Sequence, residues 1–465
     1  MIFTKAKIQP ILFTIIGMLT FSSCGEDRSS EAEKLQETQN WIYSNMEKWY
    51  YWYEDIPQAN TLNFFDEPRA FFGKLLSEKD GKNKVPFSYI EDRSKQTETR
   101  SIAQTNYSYG FDFVLATLNQ DPQIYGLITY ISEDSPASEA KLHRGDLIET
   151  INGTPVSQSN ASLLLGGPEV KLIVKRNFTQ QNPITLGSAR AVNDNPVYKV
   201  SRLNNGKVGY LMYNHFTPGS SNAKQDYDNA LRDAAHKLLG VEDLILDLRY
   251  NNGGAVSSAE VLISILCPAP IVGQTVGYMQ YSDKINKKVD IETSEKLLGG
   301  APNLNLKSIY ILTSKSTASA SELVINSLKT YMTVNVIGQT TVGKNVGSIG
   351  FDRGSWHMQP IVCQIYNSKN QSDYAEGFEP GEYTSTSNLI NSNYDIEESL
   401  PFVEIGDPTD PLINRALQLI NGDFPRAKTR QSETQKLRVI LNSVDLRRQN
   451  NLVVNPSFME EFMEE

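Results

Sequence analysis

The sequence predicts a multidomain α/β protein, and three observations carry that reading. Residues 31–100 set aromatic and aliphatic side chains at helical spacing; residues 105–200 fall into short β-like runs broken by turn signals; from residue 201 to 424, apolar strands alternate with helices. A chain of 465 residues leaves room for two to four domains at roughly 100–200 residues each. Lys and Arg number 44 against 54 Asp and Glu, a net charge of −10, which excludes a nucleic-acid binder dependent on a basic face. A hydrophobic share of 39% beside a charged share of 21% excludes both wholesale disorder and a polytopic membrane protein.

At the N-terminus, Lys5 and Lys7 precede an apolar run from Ile11 to Phe21, too short to span a bilayer but suited to the core of a signal peptide. Ser22 and Ser23 then lead into Cys24. This resembles a bacterial lipoprotein signal, with Phe21 where such signals usually carry Leu. The resemblance implies that residues 1–23 are removed, Cys24 is lipidated, and the polar residues 24–30 tether the protein to a membrane. The expected location is extracytoplasmic: anchored by lipid to a bacterial membrane, the outer one by expectation, and periplasmic or surface-exposed. A plain secretory signal is the alternative. Cys267 and Cys363 have no metal-ligand spacing and are expected to be buried and inert.

Within residues 31–100, Trp41, Ile42, Met46, Trp49, Tyr50, Trp52 and Tyr53 recur every three or four positions, the pattern of a small helical cap. Residues 105–200 open with the strands Tyr109-Gly-Phe-Asp-Phe-Val114 and Tyr125-Gly-Leu-Ile-Thr-Tyr-Ile131. Next come a helix begun by Ser135 and Pro136, and then Arg144-Gly-Asp-Leu-Ile-Glu-Thr-Ile-Asn-Gly-Thr-Pro-Val156 with its Asn-Gly turn. In this order the segments resemble a PDZ domain. The resemblance implies that an extended peptide is added as a strand, its terminal carboxylate held by the loop at Gly110 and Phe111. Asp112 falls close to where that carboxylate would dock. The last stretch, residues 425–465, mixes basic clusters with an acidic end and is expected to be peripheral helix and loose tail.

The four histidines form no H-E-x-x-H pair, and neither a G-x-S-x-G elbow nor a G-x-x-x-x-G-K-[ST] loop occurs. Three other segments carry the chemistry. Asp247-Leu-Arg-Tyr-Asn-Asn-Gly-Gly254 ends a buried strand with two glycines that can turn N–H groups toward an oxyanion. Thr317-Ala-Ser-Ala-Ser-Glu-Leu323 opens a helix with Ser319, an ordinary cap position that also suits a nucleophile backed by the Ala320 N–H. Val342-Gly-Lys-Asn-Val-Gly-Ser348 offers Lys344, which can act as a general base if burial keeps it neutral.

Taken together, the motifs D-L-R-x-N-x-G-G, S-A-S-E and a G-K about twenty-five residues later resemble the C-terminal processing peptidases, or tail-specific proteases. The resemblance covers roughly residues 105–422 and implies a crotonase-like α/β core with a Ser-Lys dyad. Position by position, it makes Ser319 the nucleophile and Lys344 the base, with Ala320 and Gly254, in preference to Gly253, as oxyanion donors. Asp247 and Arg249 would anchor the glycine turn. Ser348 stands where many members carry a lysine-orienting glutamine, and Asn345 is a possible substitute. The implied substrates are extracytoplasmic polypeptides, unfolded or cut near their C-termini, and no cofactor or metal is implied. Three readings compete: a non-catalytic peptide- or ligand-binding lipoprotein on the same scaffold, a surface lipoprotein that captures peptides or glycans for uptake, and a Ser-His-Asp triad recruiting His215 or His357.

Overall fold

A computed structural model describes residues 26–82, 84–95, 107–119, 121–220, 223–423, 437–443 and 446. The signal-like run and Cys24 lie outside the described residues.

Short apolar runs rich in Leu, Ile and Val form the centre of a seven-stranded sheet. Val208–Tyr213, Asp243–Asp247, Ser308–Thr313 and Thr333–Gly338 lie side by side and parallel. Val197–Leu203 flanks them on one edge and Gly381–Tyr383 on the other, both antiparallel. Strands buried on both faces need no polar alternation, which is why these segments read as continuous apolar runs. A second sheet orders Lys288–Glu292, Thr275–Tyr281, Ile361–Asn367 and Val346–Ser348. The helix Ala320–Leu328 packs between the two sheets with all nine residues buried. Its Leu323, Val324 and Leu328 share one cluster with Ile309, Ile311 and Val334 of the large sheet and with Met279, Ile361 and Ile365 of the small one.

The N-terminal aromatics pack into this same core rather than into one of their own. Ile42, Met46 and Trp49 of the helix Glu26–Trp49, Tyr50 just after it, and Phe71 of the helix Pro68–Gly73 are buried in the cluster just described. Tyr89–Asp92 then pairs antiparallel with Trp356–Gln359, fastening the segment to the α/β unit through main-chain bonds. A sheet-rich unit with its own core follows, built on Phe111–Leu118, Asp121–Ile131, Leu147–Ile151 and Val170–Arg176 around Phe111, Phe113, Leu115, Ile128, Leu164 and Leu172.

After residue 425 the composition predicts helix, yet Leu437–Asn442 is a strand, paired antiparallel with Phe111–Leu118. Its Leu-Arg-Val-Ile-Leu-Asn sequence is short and β-branched at the centre, and the neighbouring sheet offers it an open edge. Cys267 and Cys363 are unpaired and buried, and burial pushes their thiols up to about 11 and about 12, outside the reactive range. No described helix is long and apolar enough to cross a membrane.

A buried ion cluster joins the two units. Arg249, fully buried, meets Asp247 at 2.8 Å, Glu398 at 2.8 Å and Asp410 at 2.8 Å, and Asp410 caps the helix Pro411–Ile420. From the sheet-rich unit Arg144 reaches the same Glu398, donates to the Tyr250 hydroxyl at 2.6 Å, and lies over the Phe402 ring at 4.3 Å. Burial alone would raise the Glu398 carboxyl, but Arg144 and Arg249 more than offset it and hold the group at about 2. Removing Arg249 would leave Asp247 and Asp410 buried without a cationic partner and Glu398 with Arg144 alone. Arg249→Met is therefore expected to cost roughly 3–5 kcal/mol of stability, read by urea unfolding. The Glu398 contribution is present above the ordinary carboxyl value near 4.5 and is lost as pH falls toward about 2, so the parent should lose stability across that window and Glu398→Gln should lose less.

Candidate active site

All three chemistry-bearing segments leave the carboxyl ends of adjacent parallel strands, the edge where α/β sheets place their sites. Gly253-Gly254 follows the strand Asp243–Asp247, Ser319 follows Ser308–Thr313, and Lys344 follows Thr333–Gly338. Main-chain bonds tie the segments together. The Asn251 carbonyl accepts the Ala318 N–H at 3.3 Å and the Ser321 hydroxyl at 3.1 Å, the Leu248 carbonyl accepts the Thr317 hydroxyl at 2.8 Å, and the Val342 N–H donates to the Thr317 carbonyl at 2.9 Å.

Ser319 sits at the N-terminus of the buried helix with φ 61° and ψ −112°, a conformation that costs a non-glycine residue of order 1–3 kcal/mol. Its N–H donates to Glu322, but its Oγ, wholly buried, has no hydrogen-bond partner among the described residues. Gly253 has φ 109°, and a Cβ there would lie 2.7 Å from the Ser319 Cβ, so only glycine lets the turn approach the serine. The Gly253 N–H is committed to the Asn251 side chain at 2.9 Å. Phe216 bonds to the Gly253 carbonyl and the Ala255 N–H, and the Gly254 N–H has no hydrogen-bond partner among the described residues. The N–H of Ala320, in the first turn, likewise has no helical partner.

Lys344 is 3% exposed. Burial pushes its ammonium down to about 7, with the negative charges of Asp80 and Glu322 pulling the other way. The amine lies 5.3 Å from the centre of the Phe87 ring. Asp80 accepts the Phe87 and Ser88 N–H groups and the Tyr50 hydroxyl, so the N-terminal segment builds one wall of the lysine's surroundings. Lys82 adds a bond from its ammonium to the Val342 carbonyl at 2.8 Å. Nothing in the sequence near Lys344 signals these residues, which lie more than 250 positions upstream.

Glu322 is the residue whose role the motif alone does not disclose. Its buried carboxylate accepts the Ser319 N–H at 2.8 Å and the Lys344 N–H at 2.8 Å on one oxygen, and the Thr341 hydroxyl at 2.5 Å and the Gly343 N–H at 2.6 Å on the other. Burial raises its carboxyl above the usual range while these four donors, which favour the ionised form, pull it back. One side chain therefore fixes the main chain at both Ser319 and Lys344. The S-x-x-E spacing of a capping box was the available signal.

Ser348 is fully buried and accepts the Gln359 side-chain amide at 3.1 Å. Gln359 in turn meets the Tyr89 hydroxyl and His357, and His357 meets Asp352 at 2.8 Å. A glutamine thus stands one bond behind the serine that occupies the expected glutamine position. Asn345 donates to Ser372 instead. His215 is engaged with Thr217 and the Asp194 carbonyl, and neither His215 nor His357 bonds to Ser319. Among the described residues no cluster of His, Cys, Asp and Glu is arranged to hold a metal ion.

The model of "Peptidase family S41" matches residues 207–381, the stretch that holds all three segments, and that of the "Peptidase S41 N-terminal domain" matches residues 37–89. A crystal structure of an S41 protease from Bacteroides fragilis superimposes with a TM-score of 0.68 at 33% identity, covering 82% of this chain and 97% of that one. The chain belongs to peptidase family S41. A CtpA-like serine protease of Staphylococcus epidermidis is 30% identical over 226 residues, covering 47% of this chain and 42% of the relative. The chloroplastic carboxyl-terminal-processing peptidase 2 of Arabidopsis thaliana is 26% identical over 317 residues, 64% of this chain and 57% of its own. The S41 chain thus spans about half the length of the curated relatives it matches.

Two outcomes are expected of this S41 site. With Ser319 as the expected nucleophile and Lys344 as its expected base, acylation by a fluorophosphonate probe should rise with pH along a single-group curve centred near 7, because only the neutral amine can take a proton. Glu322→Gln would turn an amide N–H₂ toward two of four donors and should slow that acylation by about tenfold or more, in a stopped labelling time course.

Proposed function

We propose that the chain is a serine endopeptidase working through a Ser319–Lys344 dyad. The observation that carries the reading is the single Glu322 carboxylate holding both residues' main chains, beside a serine hydroxyl with no other employment. As Ser319 Oγ attacks the scissile carbonyl, its proton passes to the neutral Lys344 amine. The developing oxyanion is received by the N–H groups of Ala320 and Gly254. Lys344 then gives its proton to the leaving amine, and the acyl-enzyme is hydrolysed by a water deprotonated by the same lysine. Ser348, supported by Gln359, takes the lysine-orienting place.

The substrates are extracytoplasmic polypeptides, unfolded or cut near their C-termini, presented by a PDZ-like unit within residues 105–200. Cys24 tethers the enzyme to the membrane surface. Ser319 exposes none of its surface, so this is a closed arrangement and covering segments move before a polypeptide enters.

The test uses an unfolded reporter protein followed by mass spectrometry. The parent cleaves it, and Ser319→Ala and Lys344→Ala each lose at least about a hundredfold in rate, ~2.7 kcal/mol of barrier. A folded parent inert on several reporters would leave the ligand-binding reading in its place.

A further inference from the structure

The edge of the strand Phe111–Leu118 is where a peptide would be added to the sheet-rich unit, and it is taken. Leu437–Asn442 pairs with it antiparallel, Leu437 opposite Leu118 and Asn442 opposite Val114, at the outer edge of the sheet. Ile440, Leu441 and Leu446 pack on the core formed by Phe111, Phe113, Leu115 and Leu164. The segment runs so that its last residues reach the loop at Gly110–Asp112. There the buried Ser443 hydroxyl donates to the Asp112 carboxylate. The Asn442 side chain accepts a bond from the Ser316 hydroxyl at 3.1 Å, three residues before Ser319.

This loop is poorly suited to a terminal carboxylate. The Gly110 N–H is committed to Ser108 Oγ at 3.0 Å and the Phe113 N–H to the Asp112 carboxylate at 3.0 Å. The Asp112 charge would repel a second carboxylate at the position where Ser443 offers a hydroxyl.

We infer that this edge is a docking site for an internal, extended polypeptide segment with aliphatic side chains followed by a hydroxyl, and that its resident occupant is the chain's own segment 437–443. An incoming polypeptide must displace that segment, and displacement breaks the Asn442–Ser316 contact with the loop leading into Ser319. The consequence for cleavage rests on the proposed peptidase reading; the docking itself does not.

The probe is a fluorescent peptide of residues 437–446 with an amidated end, titrated by anisotropy into the full chain carrying Ser319→Ala, so that nothing is cut. Adding Leu441→Asp, which loosens the resident strand, should tighten peptide binding by about tenfold or more. A version ending at Ser443 as a free acid should bind at least about fivefold more weakly than its amide, and Asp112→Asn should erase that difference. In the chain carrying Ser319→Ala alone, the parent for this test, saturating peptide should speed hydrogen exchange of the amides at 439–442. Equal affinity with and without a folded Leu441→Asp, or exchange at 439–442 unmoved by saturating peptide, overturns the inference. Should Leu441→Asp not fold, the exchange measurement on the parent decides. Because the readouts are binding and exchange in a cleavage-dead chain, failure of the dyad and failure of the docking site are seen separately.

Discussion

A buried carboxylate is costly, and Glu322 is made tolerable chiefly by four donors that converge on it from three stretches of chain. Those stretches are the start of the buried helix, the turn at Thr341 and the Gly343–Lys344 pair. The helix places Glu322 one turn inside its own N-terminus, and the parallel sheet delivers the lysine loop beside it. Because every donor must be present for the charge to be satisfied, the Ser319 and Lys344 segments are positioned as one unit. The apolar helix and the two sheets around it supply the low-dielectric surroundings that bring the lysine amine down to about 7, where its neutral form is well populated.

The Arg249 cluster performs a related service at larger scale. It holds the turn that carries Gly253 and Gly254, caps the helix Pro411–Ile420 through Asp410, and through Glu398 takes hold of Arg144 in the sheet-rich unit. The sheet-rich unit and the glycine turn are therefore tied through charges that cannot easily be separated in the interior. The strand Leu437–Asn442 forms a second bridge, from the same unit to the loop before Ser319.

Much of the site was legible because its parts are local in sequence. A strand, a glycine turn or helix start, and a reactive residue each occupy one short window, and the α/β order brings such windows to one sheet edge. The mixed α/β architecture was legible for the same reason, since apolar runs mark buried parallel strands. What escaped is what depends on distant pairing. Asp80 and Phe87 reach Lys344 only after the N-terminal segment has docked, and Gln359 reaches Ser348 only through the register of the second sheet. The strand at 437–442 escaped because a six-residue segment with mixed polarity acquires its conformation from the edge it joins. Glu322 lay in plain view, but its spacing from Ser319 says only that a helix begins there.

The left-handed backbone at Ser319 sets stability and chemistry against each other at a single position. Alanine there would delete the hydroxyl and keep the strain, whereas glycine would delete it and let the backbone relax, at a position where no other helix residue would gain from the change. A library sorted only for resistance to heat would thus be drawn toward glycine at 319, and its most robust members would be folded proteins without the hydroxyl on which the proposed dyad depends.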